Sequence, residues 1–163
     1  TKNKKIGVLA TGLTLSGEKF TSLVQKFGGG ITVVNQACPG LVEKVEAGEV
    51  SGPETETMLR MYLEPLQTTG VDVVVLGCTH YPFLRPLVEK IVEPGIQVID
   101  TGAPVAQQTK RVLAQAGLLA SEIRFGREWF YTSGNPRSVG PVVERLWGET
   151  GVEVVQLPAS CAE

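Results

Sequence analysis

Residues 71–82, Val-Asp-Val-Val-Val-Leu-Gly-Cys-Thr-His-Tyr-Pro, decide the fold. Within them Val73–Leu76 is a short, uninterrupted, mostly β-branched run, the pattern of a parallel strand buried on both faces. Cys78 follows at its carboxyl end, with Thr79 and the only histidine of the chain, His80, directly behind it. Open α/β sheets bind ligands in the crevice outside the carboxyl ends of their strands. The stretch thus delivers a thiol, a hydroxyl and an imidazole to the expected place for chemistry.

Working outward, strands and helices alternate. Lys5–Ala10 reads as a first strand, with Thr11, Gly12, Thr14, Ser16 and Gly17 forming the turn after it. Phe20, Leu23, Val24 and Phe27 repeat at helical spacing over about residues 16–27, Gly28–Gly30 stops that helix, and Ile31–Val34 resumes as a strand. Pro39 suits the first turn of a helix running through Glu46. A longer helix starts near Pro53, capped by Ser51 or Gly52, and buries Met58, Leu59, Tyr62, Leu63 and Leu66; Pro65 is expected to bend or shorten it. After the Val71–Leu76 strand, Pro82 opens a helix carrying Leu84, Leu87, Val88 and Ile91, and Ile96–Ile99 forms the next strand. Crossovers of this kind pack helices back on a sheet, so residues 1–100 read as an α/β domain with a parallel sheet.

The remaining residues, 101–163, change character. Ala103–Ala116 is an Ala/Gln-rich helix, Ile123–Phe125 and Trp129–Thr132 read as a hairpin or two edge strands, and Ser133–Pro136 is a turn. A helix over about 138–147 and a strand at Val152–Leu157 close the sequence. So few elements bury little surface by themselves, and they are expected to dock onto something else.

Composition excludes several classes. The 163 residues are 42% hydrophobic and 20% charged with a net charge of -2, the balance of a globular protein rather than a disordered or fibrous one. No Lys/Arg cluster interleaved with aromatics gives an electrostatic footprint for nucleic acid. No apolar run approaches the roughly 20 residues that span a bilayer, so no membrane partner is expected. Cys38, Cys78 and Cys161 are odd in number and widely spaced, which argues for free thiols and a cytoplasmic, reducing setting. The opening at Thr1, close to a strand, suggests a processed product or a fragment.

A thiol becomes a useful base or nucleophile when a helix N-terminus or an imidazole favours the thiolate. Cys78 has both neighbours in sequence, and Gly77 leaves room for a substrate against the backbone. Packing alone is the simpler role for a strand-end cysteine, and the company of Thr79 and His80 turns the reading towards chemistry. Zinc is set aside, because Cys78-x-His80 has no second ligand pair. Cys38, before Pro39, reads either as a second reactive thiol or as structural, and the absence of a base or hydroxyl beside it favours the structural role, while Cys161 reads as a tail thiol. Thr11, Thr14 and Ser16 either hold a substrate carboxylate or cap the helix.

Leu76-Gly-Cys-Thr-His-Tyr-Pro82 resembles the carboxyl-side signature of the glutamate racemases, within the aspartate/glutamate racemase superfamily. Gly7-Val-Leu-Ala-Thr11 with Thr14 and Ser16, Ala37-Cys-Pro-Gly-Leu-Val42 leading to Glu46, and Phe130-Tyr-Thr-Ser-Gly134 are similar to further segments of that family. The resemblance implies a flavodoxin-like parallel sheet flanked by helices and a cofactor-independent enzyme. That enzyme would interconvert L- and D-glutamate for peptidoglycan synthesis by means of two opposed cysteines. It implies that Cys78 is the second cysteine and that His80 binds substrate and activates Cys78. Thr79, Thr11, Thr14 and Glu46 line the substrate site in the same reading. Two features of the family are absent: an Asp-Ser pair near the start and the Ala-Cys-Asn-Thr motif of the first cysteine. The resemblance therefore implies one complete racemase domain at 1–100 and the carboxyl-terminal portion of the other at 101–163, inactive alone, with a homodimer allowed for the longer protein. A non-catalytic module binding dicarboxylates or a protein stays open, as does another superfamily member such as an aspartate or hydantoin racemase or a decarboxylase of a malonate-like acid; His80-Tyr81-Pro82 weighs against the latter group.

Overall fold

The computed structural model describes residues 1–120 and 126–158. Four strands, β1 (Lys5–Ala10), β2 (Thr32–Ala37), β3 (Val73–Leu76) and β4 (Gln97–Asp100), form one sheet in the order β2-β1-β3-β4. All three pairings are parallel. This is the order of a doubly wound flavodoxin-like sheet, in which the chain steps outward in both directions from β1.

The register sorts the side chains. Leu9 stands opposite Leu76, Gly7 opposite Val74, and Val74 opposite Val98, so these residues share one face. That face is covered by α3 (Leu41–Glu46), α4 (Pro53–Thr69) and α5 (Arg85–Ile91). Leu41, Val45, Leu59, Leu63, Leu66, Leu84 and Val88 are fully buried against it. Each such side chain contributes about 1.5–3 kcal/mol of apolar burial, which makes this layer the main source of stability.

The opposite face is covered less completely: Val8 and Val73 are buried there, whereas Ile6, Val33 and Val75 are half-buried. Helix α2 (Glu18–Phe27) carries the expected apolar repeat, yet Leu23 remains 58% and Phe27 68% exposed. Its stripe overhangs a cleft of about 310 Å³ floored by Ile6, Val8, Val33 and Val75. Val73 and Val74 are buried, but Val75 is only half-buried for this reason. Helical spacing reports an apolar stripe and not the tightness with which that stripe is covered.

Several boundaries differ from the sequence reading. The turn after β1 contains a short helix, α1 (Gly12–Ser16), capped by Thr11, and the extended Gly17 delays α2 to Glu18. Strand β2 starts one residue later than expected and runs on to Ala37, because its ladder with β1 continues to the Ala10 pairing. Pro39 does not open α3. Gly40 takes a left-handed φ of 85° there, and the helix begins at Leu41. Pro65 does not shorten α4, which continues to Thr69. Pro65 and Met61 lie on the exposed face, so the carbonyl that loses its N–H partner has access to water. Pro82 opens a single 3-10 turn (Tyr81–Leu84) rather than an α-helix, and α5 begins at Arg85.

The carboxyl end of β4 is tied to the helices on either side of it. Arg85, the first residue of α5, donates from Nη1 to Asp100 Oδ2 at 2.7 Å and from Nη2 to the Val98 carbonyl at 2.9 Å. Asp100 Oδ1 accepts from Gly102 N, the first residue of α6 (Gly102–Gln115). Helix α6 buries none of its residues.

Beyond it, β5 (Phe130–Thr132) and β6 (Val154–Gln156) form a separate two-stranded parallel sheet, bridged by α7 (Pro136–Trp147). Phe130–Thr132 pairs in parallel with Val154–Gln156; the other expected strand, Ile123–Phe125, lies outside the described residues. Asn135 caps α7 through Arg137 N, so the helix starts at Pro136, inside the expected turn. Trp147 meets Phe130 edge-on with ring centroids 5.3 Å apart. Arg145 donates to the Gly48 carbonyl at 2.8 Å and Leu146 packs against the main core, which joins α7 to the first hundred residues.

Candidate active site

The carboxyl ends of β1, β2 and β3 converge on the turn that carries Cys78. Gly77 N donates to the Leu9 carbonyl at 2.8 Å, extending the β1–β3 ladder one step past the strand. A Cβ at Gly77 would lie 3.1 Å from both that carbonyl oxygen and Val8 Cγ1. The glycine thus lets the turn lie directly over β1, and Cys78 emerges half-buried at the edge.

Three polar side chains line up from there. Cys78 Sγ is 3.8 Å from His80 Nδ1, and His80 Nε2 is 3.2 Å from Glu46 Oε1. Thr79 Oγ1 lies 3.4 Å from the same Nδ1. A carboxylate accepts hydrogen bonds, so in a neutral ring the nitrogen facing Glu46 is assigned the proton and Nδ1 then presents its lone pair towards the thiol. This is the arrangement of a nucleophile or base, its proton acceptor, and a group that orients the acceptor. The chain runs from partly buried to open: Glu46 is exposed and His80 half-buried. The Glu46–His80 contact is accordingly a device of orientation more than of stability.

The hydroxyls split in role. Thr11 Oγ1 accepts from Thr14 N at 3.2 Å and lies 2.9 Å from Thr14 Oγ1, so this pair caps α1 at the same sheet edge as Cys78. The contact between the two hydroxyls takes the hydrogen of one of them and leaves that of the other free to donate. Ser16 bonds back to the Leu13 carbonyl.

Cys38 is brought close behind the site but is sealed from it. It is 2% exposed, and its thiol donates to the Gln36 carbonyl. Burial pushes its pKa up to about 12. Folding therefore keeps a proton that the unfolded chain releases near pH 9. The stabilisation is complete below about pH 9 and is lost as pH rises towards about 12. Urea denaturation at stepped pH is expected to show a steeper alkaline decline in the natural chain than in Cys38→Ala. In the same protein at neutral pH, iodoacetamide is expected to label Cys78 and spare Cys38, as peptide mass spectrometry would read. Cys161 lies outside the described residues.

The sequence reading missed the polar role of two tyrosines. Tyr81, 1% exposed, donates its hydroxyl to the Cys38 carbonyl at 3.2 Å, and Tyr62 on α4 donates to the Pro39 carbonyl at 2.7 Å. Tyr62 was legible only as a core position of α4, and Tyr81 only as the residue after His80. Burial raises the pKa of both hydroxyls, which keeps them donors.

Residues 1–109 match the family described as Asp/Glu/Hydantoin racemase. The glutamate racemase of Stutzerimonas stutzeri is 44% identical over 152 residues, covering 93% of this chain and 57% of that protein. That of Herpetosiphon aurantiacus is 47% identical over 136 residues, covering 83% and 54%. The chain thus spans about half the length of the curated relatives it matches. Among solved structures, glutamate racemase from Bacillus anthracis superposes with a TM-score of 0.85 at 26% identity, covering 98% of this chain and 59% of that one. The Thermus thermophilus enzyme, solved with β-chloro-D-alanine, gives a TM-score of 0.76 at 32% identity, covering 96% and 57%. The match includes all four strands of the main sheet and the Cys78 turn, and on that basis the chain belongs to the Asp/Glu/hydantoin racemase family.

Proposed function

We propose that this chain carries the second-cysteine side of a glutamate racemase. The observation that supports it most is the Cys78–His80–Glu46 alignment at the carboxyl edge of the sheet. The chain's identity to glutamate racemases adds to it, as does the amino-acid-like ligand of the Thermus thermophilus relative.

In this reading His80 Nδ1 takes the Cys78 proton and Glu46 supports the resulting imidazolium. The thiolate then removes the α-proton of glutamate: the Cα–H bond breaks, the proton passes to sulfur, and the electron pair stays on Cα. A second thiol on the opposite face delivers a proton to Cα, which inverts the centre. Such proton transfer by a positioned group is worth about 10²–10⁴-fold, and the developing carbanion needs electrostatic support besides. Thr79, Thr11 and Thr14 have hydroxyls at the same edge to hold the substrate's carboxylates. No cofactor enters the scheme. The product would feed peptidoglycan synthesis in the cytoplasm.

The domain division obeys the same logic. Residues 1–100 form the sheet that bears Cys78, and 101–163 belong to the partner domain. In support, α6 buries nothing and β5–β6 is a sheet of two strands. Complementation tests the reading. A chimaera joining the amino-terminal half of the Stutzerimonas stutzeri enzyme to this chain is expected to racemise L-glutamate, as monitored by circular dichroism. Cys78→Ala should abolish that turnover; a chimaera that racemises equally well without the thiol sinks the assignment. Calorimetric glutamate binding with no exchange of the α-proton in heavy water would favour a non-catalytic module.

A further inference from the structure

Strands β2 and β3 are not neighbours, because β1 lies between them. The turn after β2, which leads to Glu46, and the turn after β3, which carries His80, therefore share no ladder. Among the described residues, two hydrogen bonds join these segments: the contact of His80 Nε2 with Glu46 Oε1, and the bond from Tyr81 Oη to the Cys38 carbonyl. The first is exposed and made by a flexible glutamate. The second is buried and made by a rigid aromatic side chain one residue from His80.

We propose that Tyr81 is a positioning residue: its hydroxyl, by gripping the Cys38 carbonyl, sets where α3 begins and so brings Glu46 into register with His80. Glu46 lies eight positions after Cys38, yet the stretch behaves as one unit. Gly40 makes the turn, Leu41 and Val45 are fully buried, and Glu46 ends the helix. Leu41 N reaches the Cys38 carbonyl only at 3.4 Å, so the tyrosine hydroxyl makes the shorter of the two bonds on that oxygen. Tyr62 pegs the neighbouring Pro39 carbonyl from α4, which holds the turn to the helix layer but not to the His80 loop. Burial keeps the Tyr81 hydroxyl protonated and therefore a donor. The functional weight of this register rests on the catalytic reading of Cys78, His80 and Glu46, whereas the geometric claim stands apart from it.

The single histidine makes the test direct. With ¹⁵N-histidine labelling, the 163-residue chain gives an imidazole spectrum from His80 alone. At a pH where the ring is neutral, the natural chain is expected to show chiefly the Nε2–H tautomer, and Glu46→Ala marks the position reached when the carboxylate is gone. Tyr81→Phe, with unchanged far-ultraviolet circular dichroism, should move the signals towards that position. Signals unchanged from the natural chain overturn the proposal, and so does a Tyr81→Phe chain that no longer folds, since the hydroxyl would then serve the fold and not the site. If Glu46→Ala itself moves nothing, the register has no meaning and the proposal also fails. The functional reading is judged separately: His80→Asn leaving the pH profile of Cys78 alkylation unaltered would defeat that reading while the tautomer result on Tyr81 stood.

Discussion

Incubated with L-glutamate, the 163-residue chain by itself is expected to leave the circular dichroism signal unchanged, at enzyme concentrations where the chimaera completes the reaction. Inversion at Cα needs a proton removed from one face and another delivered to the opposite face. Cys78 offers one thiol at the sheet edge. Cys38, the other cysteine among the described residues, is sealed in the core with its thiol bonded to the Gln36 carbonyl, and its pKa of about 12 leaves it protonated at working pH. It can neither reach a substrate in the crevice nor supply a thiolate there. Since a positioned acid or base contributes about 10²–10⁴-fold, loss of one of two such groups removes turnover from the practical range. Substantial racemisation by the purified chain, retained in Cys161→Ala, would show that a single thiol suffices and would defeat the two-cysteine mechanism. Slow exchange of the α-proton in heavy water without inversion, abolished by Cys78→Ser, is the half-reaction consistent with it.

The second large effect concerns stability. Leu66 is fully buried, and its side chain occupies the space above Gly7 on β1, where a Cβ would come within 2.7 Å of Leu66 Cδ1. Truncation by Leu66→Ala is expected to cost about 2–5 kcal/mol, a large part of the roughly 5–15 kcal/mol that holds a domain together. Gly7→Ala in the natural background overfills the same contact and should cost about 1–3 kcal/mol. Placed on Leu66→Ala, however, it returns a methyl group to the void and should recover about 1 kcal/mol. The sign of the Gly7 substitution therefore reverses with the residue at position 66. Urea denaturation of the four chains would read this as a shift of midpoint at constant slope. Additive losses in the double variant would show that Leu66 and Gly7 do not share one contact.

The two results bear on each other because the site is built on that core. Leu9 and Leu76 lie side by side on the α4 face, and the very next residues past β3 are Gly77 and Cys78. Loosening the layer under β1 and β3 loosens the turn that presents the thiol.

Much of this molecule can be read from local sequence. The Val73–Leu76 run announces a buried strand because β-branched side chains without interruption suit a sheet with helices above it. The βα alternation then forces parallel strands, and parallel strands put Cys78, Thr79 and His80 at one edge with Thr11. Family motifs nominated Glu46 as well. These conclusions need only periodicity, chain direction and motif. Periodicity does not carry the distance between segments remote in sequence. The contacts Glu46–His80 and Cys38–Tyr81 join residues 34 and 43 positions apart, across a strand that belongs to neither segment. Pro65 is tolerated because it faces outward, the α2 stripe stays open because little packs over it, and β5 pairs with the distant β6. Sequence alone determined the parallel sheet and the thiol at its edge, since those arise from local patterning. Only the tertiary structure decided how Cys38 is sealed in the core, that His80 faces Glu46, and that Tyr81 links the two turns, since burial and crossover geometry are properties of the whole packed chain.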